Sequence, residues 1–297
     1  MLSRLAESFF WMGRYLERTE GTTRLLNEFH HLIVQDRGAH AAHGCSLLTK
    51  SLGLESQAIT AAEVVRTVHG DIYTPSTILG SLSSARNNAR AVRDILPSDF
   101  YESINKLYAS SGEIDAHSPG QDLRIIIERL AVTHGIYEWL APLDESAHFF
   151  RLGRALERID LVSRLLAIDM ESEWPEQGAT TSLRAVGGLS IFLRAKVPVS
   201  PSRVRLFLAS DPSFPRSLLQ SAKEAQFAIT QLGLVSNMRV DQELKPVATL
   251  GNRLTFLGED AHEISDVLIQ AISAVEKSTE LIKDAFFRPI GSIVWSN

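Results

Sequence analysis

Residues Phe9–Leu26, FFWMGRYLERTEGTTRLL, return 140 positions later as FFRLGRALERIDLVSRLL at Phe149–Leu166, without a gap. Ten of the 18 positions are identical, where chance would supply about one, so the sequence is read first as an internal repeat. The correspondence continues along the chain. Ile59-Thr60 faces Val199-Ser200, Asp71 and Pro75 match Asp211 and Pro215, and Ile78-Leu79 align with Leu218-Leu219. A period of 140 is far too long for a solenoid unit. It implies two similar halves, residues 1–142 and 143–287, with a seam near Pro142 and a tail at 288–297. The halves are expected to fuse into one globular domain.

Within each half the apolar residues recur at helical rather than alternating spacing. Pro75, Pro97, Pro119, Pro142, Pro175, Pro201 and Pro215 sit where a helical pattern starts or stops, as first-turn prolines do. Thr60-Ala-Ala-Glu63 has the spacing of a capping box. The spacing predicts helices over 4–36, 44–54, 60–69, 75–95, 98–112 and 120–141. The second half is predicted helical over 144–173, 180–195, 201–210, 214–233, 247–257 and 259–287. Arg203–Leu208 is the one stretch with strand character, and helix is preferred there because its counterpart at Glu63–Val68 is weaker as a strand. Segments 37–43, 113–119 and 174–179 read as loops. The expected architecture is an all-α helical bundle with approximate internal twofold symmetry.

The composition fits that picture. The 297 residues are 44% hydrophobic and 22% charged, which separates the chain from disordered and fibrous classes. Thirty basic side chains against 35 acidic ones leave a net charge of −5, without the basic footprint of a nucleic-acid binder. No apolar run reaches the roughly 18–20 residues needed to cross a bilayer. The start, MLSRLAESFF, lacks the apolar core and small-residue cleavage site of a secretory signal. A single cysteine, Cys45, excludes an intrachain disulfide framework and a cysteine-based zinc finger. A cytoplasmic location is expected, with neither nucleic acid nor membrane as partner.

On a helical wheel of about 100° per residue, Phe10, Gly13, Arg14, Glu17, Gly21 and Arg24 share one stripe. Met12, Leu16, Thr19, Thr23 and Leu26 lie opposite, where a core face is expected. The second copy repeats the arrangement with Phe150, Gly153, Arg154, Glu157 and Arg164. A solvated face with weak ion pairs would explain the charges alone. Yet Gly, Arg, Glu and Arg are the positions the two copies share, and a glycine inside a helix costs about 1 kcal/mol against alanine. That cost points to the close approach of another backbone. The symmetric candidate is the matching stripe of the other half, which would join Arg14, Glu17, Arg154 and Glu157 through Arg–carboxylate pairs. Glu20–Arg24 and Asp160–Arg164 add i, i+4 pairs in the favourable order.

Three roles remain open for this cluster. Arg14, Arg18, Arg24, Arg154, Arg158 and Arg164 could form a structural or binding ion-pair network. Glu17 and Glu157 could be catalytic acid/base groups or ligand-binding carboxylates, since buried glutamates can be tuned toward neutral pKa. The stripe could also face a partner protein.

Other constellations are weaker. Glu28-Phe-His-His31 contains Glu-x-x-His, half of the ligand pattern of a di-iron bundle, but the counterpart at 168–171 reads Ile-Asp-Met-Glu. His40 and His43 read as loop histidines near Cys45, and His134 and His148 as local packing or capping groups. Trp11, Tyr15, Tyr137 and Trp139 are expected to pack helices, though a groove lined by such amphipathic rings could take a peptide. There is no glycine-rich phosphate loop, no Gly-x-Ser-x-Gly elbow and no His-Glu-x-x-His pair, so neither a cofactor nor a metal is expected.

The opening MLSRLAESFFWMGRYLERTEGTTRLL and the second copy FFRLGRALERIDLVSRLL resemble the two signatures of the bacterial alpha-E domain family, and the resemblance covers nearly the whole chain. It implies a predominantly helical protein without an established biochemical activity, whose characteristic glutamates map to Glu17 and Glu157. It also implies gene-neighbourhood association with a circularly permuted ATP-grasp ligase, a transglutaminase-like protein and sometimes a proteasome-like peptidase. The context implied is the synthesis or modification of peptide amide bonds, with a peptide substrate as a further candidate partner. His148 and Arg151 depart from the family pattern, where aromatic or aliphatic residues are more usual. Two functions follow as expectations: an accessory or scaffold partner of the ligase system, or an enzyme or peptide binder that uses Glu17 and Glu157. Homo-oligomerisation stays open.

Overall fold

The first copy of the repeated stretch lies within a helix of 33 residues, α1 (Ser3–Gln35), and the second within α7 (Glu145–Ala167). The two helices pack against each other along the repeated segment. Gly13 and Gly153 make this possible. A Cβ added at Gly13 would collide with the backbone carbonyl of Phe150, and one added at Gly153 with the carbonyl of Phe10. The contact is reciprocal at the 140-residue offset, and it explains why glycine is tolerated at two helix-interior positions.

The computed structural model describes residues 1–35, 39–55, 57–168, 174–175, 177–258 and 260–288. Among the described residues the secondary structure is helical, with no strand. After α1 come α2 (Ala39–Ser51), α3 (Ala61–His69), α4 (Ile78–Ala91), α5 (Ser98–Ser110) and α6 (Gly120–Leu140). After α7 come α8 (Gly178–Ala185), α9 (Leu189–Arg194), α10 (Pro201–Ser210), α11 (Leu218–Ser236), α12 (Asp241–Thr255) and α13 (Ala261–Ile282). A π-helical turn at Lys283–Phe287 continues α13.

Packing partners correspond between the halves. Helix α1 is flanked by α4 and α6, and α7 by α11 and α13. Each flank is closed by a helix pair in contact, α5 with α6 and α12 with α13. Because α1 is covered on several sides, both of its stripes are buried, Met12, Leu16 and Leu26 on one and Phe10, Arg14 and Glu17 on the other. Buried apolar side chains of both halves form one continuous cluster.

Local chemistry sets the helix ends. Thr60 and Glu63 form the capping box of α3, and Pro201 opens α10 at its first turn. Two turns that enter α4 and α11 share one hydrogen-bond plan. Asp71 Oδ1 accepts from the Tyr73 and Thr74 amides, and Asp211 Oδ1 from those of Ser213 and Phe214. The Thr77 hydroxyl donates to the Asp71 carbonyl and accepts from Gly80, and Ser217 does the same with Asp211 and Gln220. Each hydroxyl is the N-cap of its helix.

Several boundaries differ from expectation. The helix expected over 180–195 is broken in two, because Gly187 takes a positive φ of 76° that a continuing helix does not allow. The helix expected from 75 begins at Ile78, since Pro75 belongs to the Asp71 turn. Helix α12 starts at Asp241, before Pro246 rather than after it, with Asp241 and Glu243 in its first turn, where acidic side chains meet the positive end of the helix dipole. His40 and His43 lie in α2, not in a loop. The tail from 289 onward and Asp169–Glu171, half of the weak di-iron pattern, fall outside the described residues. No helix among the described residues is long and apolar enough to cross a membrane.

Candidate functional site

The close approach at Gly13 and Gly153 brings the next turn of each helix into register, and there the charges meet. Glu17 of α1 accepts from Arg158 of α7 in two places, Nε to Oε1 at 2.9 Å and Nη2 to Oε2 at 2.8 Å. Glu157 of α7 accepts in the same way from Arg18 of α1, at 2.5 and 3.0 Å. One turn earlier, Arg14 Nε donates to Glu157 at 2.7 Å and Arg154 Nε approaches Glu17 at 3.4 Å. The fork-to-fork pairs are thus made by the Glu-Arg dipeptides themselves, Glu17-Arg18 and Glu157-Arg158, with Arg14 and Arg154 as single contacts. A third Glu-Arg dipeptide, Glu128-Arg129, is exposed on α6 and takes no part.

Both glutamate side chains have 0% exposure. Burial by itself would raise the Glu17 carboxyl, but the guanidiniums of Arg158, Arg216 and Arg154 outweigh it and hold the group well below the usual carboxylate range. At Glu157 burial is likewise outweighed, by Arg18 and Arg14. Arg158 is pushed up in turn, because Glu17 outweighs the burial that would lower it. The arrangement keeps both carboxylates as anions.

Arg24 and Arg164 pair locally, with Glu20 at 2.8 Å and Asp160 at 3.0 Å, so the two i, i+4 pairs form as their spacing suggests. All eight residues singled out from the sequence lie in this cluster or at its edge. Sequence reasoning missed several others. Arg216, from the turn before α11, bridges Glu20 Oε1 at 2.6 Å and Glu17 Oε1 at 2.7 Å. Arg158 also reaches Glu224 at 3.2 Å, and Arg154 reaches Glu138 at 3.0 Å. His134 Nε2 lies 3.4 Å from Glu20 Oε2, a contact longer than a good hydrogen bond. Burial first, then Arg154, lowers the pKa of this histidine and favours its neutral form. One signal could have found Arg216: its counterpart at the 140-residue offset is Ser76, an unmatched charge in an otherwise matched turn.

Glu17, Glu20 and His134 place ligand atoms within 4.8 Å of one another, the one such group among the described residues. Three of the four carboxylate oxygens are already taken by Arg158, Arg216 and Arg24, and Glu20 Oε2 faces His134. A divalent cation there would have to displace guanidiniums that the same carboxylates hold.

Cavities meet the cluster on one side. A space of about 200 Å³ is lined by Arg18, Thr22, Ser76, Glu157, Asp160 and Arg164, with parts of the 51–53 segment. A neighbouring space of about 270 Å³ lies over Arg14, Arg18 and Thr279. The first reaches Glu157, and neither is lined by Glu17.

The remaining candidates sort plainly. Cys45 is buried in α2, and burial, then Glu63, raises its thiol pKa, the opposite of an activated nucleophile. Trp11 stacks on Tyr15 with the Arg14 guanidinium over its ring, and Tyr137 packs between Phe100 and Phe150. Trp139 does not pack: it is 89% exposed near the end of α6, where the helix turns toward α7.

No curated protein and no solved structure matches the chain. A family model does, over residues 1–287, and its description is a predicted alpha-helical domain with a conserved ER motif. Glu17-Arg18 and Glu157-Arg158 are dipeptides of that composition, both glutamates buried, cross-linked between the two central helices. By that match the chain belongs to the Alpha-E family.

Proposed function

We propose that the chain is an accessory or scaffold partner of an ATP-grasp peptide or amide ligase system, with transglutaminase-like and proteasome-like proteins as neighbours, and that it acts in the cytoplasm. The observation that carries this reading is the state of the two motif glutamates. Both are buried and held as anions by arginine guanidiniums, with Glu157 at the wall of a cavity. A general acid or base must exchange its proton near the working pH, and a carboxyl held far below that range does not. The residues of the motif then serve to lock α1 against α7, as a rigid frame for surfaces that meet a partner.

Trp139, Leu140 and Leu143 support a partner surface, being large apolar side chains left exposed at one corner, where such groups favour protein contact. Affinity purification of the tagged chain from its native host, after mild crosslinking, tests the reading. Recovery of an ATP-grasp ligase or its peptidase neighbour is expected, and a purification that returns neither overturns it.

One observation favours a second reading, peptide or ligand binding through Glu157. The cavity of about 200 Å³ reaches this glutamate and not its counterpart. Here Glu157 would act as a fixed anion that orients a ligand, without proton transfer.

A further inference from the structure

The two halves of the charged cluster are not equivalent: the positions of Arg216, Glu138 and Glu224 are occupied around Glu157 by Ser76, Ser278 and Ser84. Glu17 has four guanidinium contacts, from Nε and Nη2 of Arg158, Nε of Arg154 and Nη2 of Arg216. Glu157 has three, and among the described residues its Oε1 accepts from Arg18 alone. Glu20 is bridged to Glu17 by Arg216, whereas among the described residues Asp160, its counterpart, pairs only with Arg164. The turn that delivers Arg216 has the same hydrogen-bond plan as the turn before α4, so the position of Arg216 corresponds to Ser76. Ser76 lines the 200 Å³ cavity with Glu157 and Asp160. A second observation marks the same place. Thr22, which lines the cavity, is fully buried, and its hydroxyl has no hydrogen-bond partner among the described residues. Its counterpart is Val162, so the hydroxyl is not required by the fold common to both halves.

We infer that this cavity binds the guanidinium group of a ligand, placed against Asp160 and beside Glu157 as Arg216 is placed against Glu20 and Glu17. Flanking cations do not forbid it. Arg216 itself sits among Arg158 and Arg24, the counterparts of Arg18 and Arg164, because it bridges two carboxylates and because Glu224 also balances Arg158. A planar fork that donates from two nitrogens suits a pair of carboxylates better than an ammonium does. The inference rests on the reading of Glu157 as a ligand-binding carboxylate and adds the class of ligand.

Thermal unfolding of the full chain tests it with four probes at matched ionic strength. Agmatine carries a free guanidinium, N-acetylargininamide carries one on a peptide unit, N-acetylcitrullinamide is its neutral isostere, and inorganic phosphate is the anion control. A guanidinium probe at tenfold excess over its Kd should raise Tm by about 2–4 °C. Citrullinamide and phosphate should not. A response to N-acetylargininamide alone assigns the ligand to a peptide, and a response to agmatine as well admits a small molecule; both support the inference. Ser76→Arg should abolish the response by supplying the group internally. Thr22→Val should weaken it, and serves if the first variant does not fold. No saturable response in the wild type overturns the inference, as does an undiminished response in Ser76→Arg. If citrullinamide binds as well as argininamide and Ser76→Arg removes both, the guanidinium assignment fails while the binding site stands. A saturable response to phosphate in place of the guanidinium probes makes the cavity an anion site on Arg18 and Arg164 and overturns the inference.

Discussion

Arg158 holds Glu17 by both Nε and Nη2, at 2.9 and 2.8 Å, across the two helices that carry the repeated sequence. The pair is buried, so its attraction is set against a large desolvation cost, and its net worth to stability is modest. Breaking it is another matter. Glu17→Gln leaves Arg158 and Arg216 without their common anion in a buried site, and should cost about 3–5 kcal/mol. Glu157→Gln should cost less, because Glu157 meets two guanidiniums rather than three. Urea unfolding measures both, and the order of the midpoints is the sharper result. A Glu17→Gln protein as stable as wild type would contradict the buried network.

The glycine contact is a prediction about backbone rather than charge. At Gly13 and Gly153 an added Cβ meets a carbonyl of the facing helix, and neither helix can yield without losing the ion pairs one turn on. Gly13→Ala should therefore destabilise by about 3 kcal/mol, at the upper end of ordinary overpacking. Gly135→Ala is the control, since nothing lies within 4 Å of its added Cβ on the exposed side of α6. There the better helix propensity should stabilise by up to about 1 kcal/mol. Equal effects at the two positions would mean that α1 and α7 are not held at this distance.

This contrast also shows what the sequence could carry. The helix pair, its glycines and its glutamates were legible because one gapless stretch repeats, and a wheel places Gly13, Arg14 and Glu17 on one stripe. The Arg18–Glu157 and Arg158–Glu17 forks were harder, because Arg18 and Arg158 lie beside the stripe and reach it only through their length. Arg216, Glu224, Glu138 and His134 come from a turn and from helices far along the chain, and no local spacing ties them to Glu17. Helix ends were misjudged where glycine or proline acts through tertiary context. Gly187 breaks a helix by its φ, whereas Pro246 sits inside one.

The pH dependence follows from the direction of the shifts. Glu17, Glu20 and Glu157 have pKa values lowered in the folded chain, since their arginine partners outweigh burial. The unfolded chain therefore binds protons more readily near 4.5, their ordinary value. Stability from these groups is complete above that pH and is lost as pH falls toward their folded values. His134, lowered by burial and then by Arg154, acts in the same direction at higher pH. Its neutral form is favoured by folding, so its contribution begins to fall below 6.5. Tm should be flat from pH 8 to 7, decline gently below 6.5 and drop steeply below 4.5. Equal Tm at pH 8 and pH 4 would show that the carboxylates are not held by the arginines.

The corner between α6 and α7 offers a test of the scaffold reading that leaves the charged cluster alone. Trp139 is 89% exposed and Leu143 is 85% exposed, so neither stabilises the fold by burial. Replacing both with serine should change stability by no more than about 0.5 kcal/mol and leave the helical circular dichroism signal intact. If this corner contacts the ligase or its peptidase neighbour, the same double variant should reduce their recovery in crosslinked purifications by about tenfold or more, as loss of an aromatic anchor does. Undiminished recovery with an intact fold would move the partner surface elsewhere on the bundle. Lost recovery together with lost helicity would mean instead that these side chains support the fold despite their exposure.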